Sequence, residues 1–94
     1  MTFGKRTSWL VEFDPQARKD LLKLGSADRA RVLRYLDERL NGSPDPKAFG
    51  KALTANLSGL WRYRVGDIRI LARLEHDRLI ILVIAVGNRR DVYQ

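Results

Sequence analysis

No cysteine occurs in this chain, which excludes disulfides, zinc–thiolate sites and thiol catalysis and leaves the fold indifferent to a reducing cytosol. Histidine is nearly missing as well: His76 is the only one, it falls at a predicted turn, and chemistry that needs a histidine pair is excluded. Carboxylates in the second half are few and scattered, so no metal-binding cluster is expected. The glycines follow no phosphate-loop spacing, and no cofactor is expected either. Long apolar runs are absent too. The most apolar stretch, residues 79–86, is far too short to span a bilayer, and the opening MTFGKRTSWLVEF has no export signal. A cytoplasmic protein with no membrane contact is expected.

Negative charge is the minority, with 11 acidic against 18 basic residues and a net charge of +7 on 94 residues. Such a field attracts polyanions and raises their encounter rate. Hydrophobic residues make up 45% and charged residues 31% of the chain, which is ordinary for a folded protein and too apolar for disorder. A chain of this length buries roughly 60–65% of its unfolded surface around one core. One domain over residues 1–94 follows, with no linker, internal repeat or low-complexity run.

Trp9, Val11 and Phe13 alternate with Leu10 and Glu12, which predicts a strand over residues 8–13. Asp14-Pro15 is a helix start, an N-capping carboxylate followed by a proline whose missing N–H costs nothing there. Ala17, Leu21 and Leu24 then recur at helical spacing, and Gly25 reads as a left-handed cap. Ser26 can cap a second helix whose apolar stripe is Val32, Leu33, Leu36 and Leu40, with Arg29, Arg34, Asp37 and Glu38 facing water. Residues 41–50 form a proline- and glycine-containing loop, and residues 51–59 carry no readable pattern. Three strands follow, residues 60–65, 68–75 and 78–86, joined by turns at Gly66-Asp67 and His76-Asp77. The last is apolar on both sides, as a central strand is, and the first strand can pair beside it. The expected fold is α+β, β-α-α-β-β-β, a mainly antiparallel four-stranded sheet with the helical hairpin packed on one face.

In Trp61-Arg62-Tyr63-Arg64-Val65 the aromatics and valine point one way and both arginines the other. A two-residue turn at Gly66-Asp67 sets Arg64 directly opposite Arg69, a like-charge pair that costs some tenths of a kcal/mol up to about 1 unless an anion lies between them. Arg89, Arg90 and Tyr93 follow the last strand, and a tyrosine can stack on a base or donate its hydroxyl. Either these arginines form a solvated face paired with Asp67, Asp91 or Glu75, or they bind phosphate and base. Leu71, Ile80 and Leu82 fall on the same face and are expected to be exposed until a partner segment or the chain's own tail covers them.

The run Leu60-Trp61-Arg62-Tyr63-Arg64-Val65-Gly66-Asp67-Ile68-Arg69-Ile70, preceded by Gly50-Lys51-Ala52-Leu53, resembles the RelE toxins of bacterial toxin–antitoxin pairs. The opening VEFDPQARKDLLKL and the ending VIAVGNRRDVY match the same pattern, so the likeness to the RelE/ParE superfamily spans nearly the whole chain. It implies a toxin that enters the ribosomal A site and cleaves mRNA without a metal. It also implies a RelB-like antitoxin that wraps the toxin, with operator DNA bound only by their complex. Carried over by position, Arg64, Arg69, Arg89 and Tyr93 are the implied catalytic residues, and Arg62, Lys51 and Arg90 the implied RNA-binding ones. The best-studied members have lysines where Arg62 and Arg64 stand, and two more residues between the arginine and tyrosine of the tail. Arginine stays protonated at any relevant pH and is a poor general base, so little pH dependence of cleavage is expected near neutrality. The rival implied by the same superfamily is a ParE-like inhibitor of DNA gyrase that cuts no RNA. A third reading is an RNA-binding module without chemistry.

Overall fold

The computed structural model describes residues 7–88. Strand β1, Leu10–Phe13, leads into helix α1, Pro15–Lys23, at the expected boundary. Asp14 is extended there, and its Oδ2 accepts the Gln16 backbone N–H at 2.9 Å. That bond satisfies one of the donors every helix N-terminus leaves unpaired. Helix α2, Ser26–Tyr35, runs on into a π-helical turn, Leu36–Leu40, closed by the Asn41 N–H donating to Leu36 O at 2.7 Å.

The expected left-handed cap at Gly25 is not formed: Gly25 has φ −60° and ψ 155° and is itself the N-cap residue of α2, with Ser26 already inside the helix. Arg29 closes α1 in its place, its guanidinium donating to Leu24 O at 3.2 Å. Arg29 is therefore half-buried, where full exposure was expected. Leu33 departs the other way. It is 42% exposed, while Val32, Leu36 and Leu40 of the same stripe are buried.

After a 3₁₀ turn, Pro46–Phe49, a two-residue strand β2, Lys51–Ala52, precedes a second 3₁₀ turn, Ala55–Leu57. Strands β3, Leu60–Val65, β4, Ile68–Glu75, and β5, Ile80–Asn88, complete the chain. The sheet order is β1-β5-β4-β3-β2, with β1 parallel to β5 and every other pair antiparallel. The four expected strands are thus present, and β2 extends them to five. β5 begins two residues later than its apolar run suggested, because residues 76–79 form a wider turn in which Leu79 takes φ +54°. His76 is exposed in that turn, with its ring edge-on to Trp9 at 5.2 Å.

One face of the sheet carries the core. Ile68, Ile70, Ala72 and Leu74 from β4 and Ile81, Val83 and Val86 from β5 pack with Ala17, Leu21, Val32, Leu36 and Leu40 from the helices. A bulge between Leu71 and Ala72 in the β4–β5 register leaves Ile84 between the partners Val83 and Ala85. Beyond Val83, β5 has no β1 residue beside it, and the Asp20 carboxylate of α1 accepts the Val86 N–H at 3.0 Å. The opposite edge of β1 is occupied as well. Trp9 N–H donates to Ser43 O at 2.8 Å and Val11 N–H to Asn41 Oδ1 at 3.0 Å, which removes an open template for strand addition.

Candidate functional site

Strand β3 separates its side chains as the alternation requires. On the helix side Tyr63 is wholly buried and Trp61 half-buried. The Tyr63 hydroxyl donates to Pro46 O at 3.0 Å, and the Lys47 ammonium lies 5.7 Å from the Trp61 ring centroid. Burial pushes the Tyr63 phenol well above its ordinary pKa, with Tyr35 and Asp45 adding to the shift. The ring also explains Gly50, where an added Cβ would lie 2.6 Å from Tyr63 Cε1. The loop before β2 is thereby held against the underside of the strand that carries the arginines.

On the other side, which is helix-free among the described residues, Arg62 and Arg64 project from β3 and Arg69 from β4. The β3–β4 register pairs Val65 with Ile68 and Arg64 with Arg69. Gly66 alone among the turn's two central residues has a positive φ, +59°, the pattern of a type II′ hairpin turn. The next pair out from such a turn is the closely approaching kind, with Cα atoms roughly 4.5 Å apart. Two guanidinium stems therefore rise side by side at the hairpin tip. Arg64 is exposed, while Arg69 is only 4% exposed. On its other flank Arg69 is paired with Gly87 of β5, a residue that contributes no side chain of its own there.

Lys51 is the cross-strand partner of Arg62, which brings a fourth cation to the same face. Arg62 is half-buried, and its Nε is enclosed with no hydrogen-bond partner among the described residues. The ion pairs among the described residues join Arg78 to Glu75 and Glu12 and Arg31 to Asp28. None of them neutralises Lys51, Arg62 or Arg64. Glu75 was one of the carboxylates that a solvated arginine face would have used, and it is occupied by Arg78 at 2.7 Å. Arg89, Arg90 and Tyr93 lie outside the described residues.

Two features were not foreseen. Arg73 sits opposite Leu60 and shares the face of Arg69 and Leu71, a placement that the alternation in Ile68-Arg69-Ile70-Leu71-Ala72-Arg73 carries. Leu71 and Ile80, expected to be exposed, are each only 4% exposed. Leu71 has Arg62 directly across from it, and an arginine stem covers apolar surface while its head reaches water. Ile80 lies beside Leu10 and Glu75 in the sheet, where Arg78 draws Glu75 and Glu12 together.

A helical hairpin over one face of a small mixed sheet, with cations gathered on the other, defines a class of small basic toxins. The ParE toxin of type II toxin–antitoxin systems matches residues 11–93. The chain belongs to that family, within the RelE/ParE superfamily. Toxin RelG of Mycobacterium tuberculosis is 31% identical over 86 residues, covering 92% of this chain and 97% of that one. The toxin–antitoxin complex RelBE2 of the same organism contains a chain that matches with a TM-score of 0.80 and 29% identity, covering 90% of this chain and 95% of that one. A chain of the RelB–RelE complex from Methanococcus jannaschii matches at 0.67 and 26%, covering 86% of this chain and 93% of that one.

Proposed function

We propose that this toxin is a ribosome-dependent endoribonuclease that cuts mRNA in the A site by attack of a ribose 2′-hydroxyl on the adjacent phosphorus. In that reaction the 2′-oxygen–phosphorus bond forms and the bond from phosphorus to the leaving 5′-oxygen breaks. A proton leaves the 2′-oxygen and one is gained by the 5′-oxygen, while the phosphate passes through a state with added negative charge. The protein's tasks are to hold the strand in line and to stabilise that charge. Arg64 and Arg69 are assigned to the phosphate oxygens, where a planar fork can hold two of them at once. Lys51, Arg62 and Arg90 grip neighbouring phosphates. Arg89 and Tyr93 complete the assignment, with Tyr93 the group able to pass a proton.

The observation that carries this reading is the Arg64–Arg69 pair, two cations held in register on the helix-free face, with no described carboxylate paired to Arg64. Their shared register lets one phosphate be reached by both guanidinium forks. The likeness to a toxin named RelG supports the same reading. The occurrence of RelB beside RelE in a matched structure supports a RelB-like antitoxin as the partner that restrains the toxin. Inhibition of DNA gyrase is the second reading, favoured by the ParE description of the family.

Expression in cells followed by mapping of mRNA 5′ ends separates the two. Breaks spaced by codon across translated messages are the expected result. Intact messages together with DNA-damage signalling would replace the nuclease with the gyrase inhibitor.

A further inference from the structure

A cleft of about 220 Å³ opens on the helix side of the hairpin tip, lined by Arg31, Arg34, Tyr35, Glu38, Arg39 and Val65. Three of its six residues are arginines and one is a carboxylate. In α2, Arg31 and Arg34 are three residues apart and share a face. The π-helical turn that follows, with its five-residue backbone bond from Asn41 to Leu36, underwinds the helix and swings Arg39 back toward them. The only described ion pair touching this group is Arg31 with Asp28 at 3.6 Å between half-exposed side chains, a weak surface contact. Arg34 and Arg39 pair with no carboxylate among the described residues.

The cleft is tied to the hairpin itself. At Gly66 an added Cβ would meet Arg31 Nη2 at 2.7 Å, so this guanidinium rests against the turn whose strands carry Arg64 and Arg69. Val65, on the cleft floor, is next to Arg64 in sequence and on the other side of the sheet. Burial holds the Tyr35 phenol above its ordinary pKa against the opposing pull of Arg39, which places an uncharged hydroxyl donor among the cations. Three forks, a hydroxyl and a shallow open shape suit successive phosphates of a flexible chain better than a single small anion.

We propose that this cleft is a second phosphodiester-binding site, engaging RNA backbone beyond the segment held on the helix-free face. A strand lying across Arg64 and Arg69 that continues past Gly66-Asp67 meets the arginines of α2 within the span of a few nucleotides. A neighbouring RNA strand of the ribosome offers the same chemistry. The contact is to phosphate and is blind to sequence.

The test compares wild type with the triple variant Arg31→Gln, Arg34→Gln, Arg39→Gln. The probes are 2′-O-methylated single-stranded RNAs, which cannot be cut by their own 2′-oxygen, and purified ribosomes. Glutamine keeps helix propensity close to that of arginine, so an unchanged melting curve is expected. The companion triple variant with lysine keeps the charge. With a strand long enough to pass the hairpin tip, the glutamine variant binds more weakly. Its plot of log affinity against log salt flattens by about 2, at roughly 0.7 for each phosphate no longer neutralised, and lysine restores it. With a strand too short to leave the helix-free face, all three bind alike. A weakening seen only on ribosomes assigns the cleft to ribosomal RNA. Unchanged affinity and salt slope on both probes would overturn the proposal. The oligonucleotide arm reads binding alone, so its outcome is separate from whether the proposed mRNA cleavage holds, on which only the ribosome arm rests.

Discussion

At the scale of single residues, charge and burial assign different duties to the two sides of β3. Arg64 is exposed and pairs with no described carboxylate, so Arg64→Ala should lower cleavage by about 10² to 10³, the usual effect of deleting one transition-state donor. The melting temperature should stay put, and single-turnover assays on programmed ribosomes read the drop in rate. Tyr63 has the opposite character. Its buried phenol donates to Pro46 O at 3.0 Å and is held protonated in the folded state. Folding stability is therefore fully present below the unfolded tyrosine pKa of about 10. Above it the unfolded chain loses the proton while the folded chain retains it, and stability falls by about 1.4 kcal/mol per pH unit until the raised folded value is reached. Tyr63→Phe should lower stability at neutral pH by about 1 kcal/mol and remove much of that alkaline slope, as denaturant titrations across the range would show.

At the scale of elements, the β3–β4 hairpin fixes the spacing of the arginines, and the loop beneath it fixes the hairpin. Gly50→Ala would press a Cβ to within 2.6 Å of the Tyr63 ring, and a ring with no room to move makes this an overpacking change of about 1–3 kcal/mol. The midpoint of urea unfolding should fall with an unchanged slope. The hairpin was legible in the sequence because strict alternation, a glycine–aspartate turn and two flanking apolar residues all point to one register. The two-residue strand β2 was not, since its pairing with Trp61 and Arg62 uses backbone groups that any residue supplies. The end of α1 was misread for a related reason: glycine after an apolar helix suggests a left-handed cap, and nothing local reveals that Arg29, five residues on, takes the Leu24 carbonyl. Arg73 could have been found, for it lies in the same alternation as Arg69. Arg34 reads from the sequence as facing water, and the cleft that it shares with Arg31 and Arg39 is not legible there, because the π-helical turn and the Gly66 contact of Arg31 are set by the folded chain.

At the scale of the molecule, the chain carries a net charge of +7, and two groups of its described cations lie on faces that meet at one hairpin tip. No helix of the described residues is long and apolar enough to cross a membrane. The α+β architecture and its place among RelE/ParE toxins follow from patterns spread along the whole chain, which is why they were readable early. Under the proposed function the target is set by a few cations, whose charge suits a phosphate chain. The most direct measurement is a reconstituted translation reaction in which ribosomes are stalled with a defined codon in the A site and the message is probed by primer extension. Purified toxin should produce a new 5′ end within that codon, Arg64→Ala should suppress it by about two orders of magnitude or more, and added gyrase should keep its supercoiling activity. A message left intact by wild-type toxin that arrests gyrase at equal concentration would contradict ribosome-dependent cleavage.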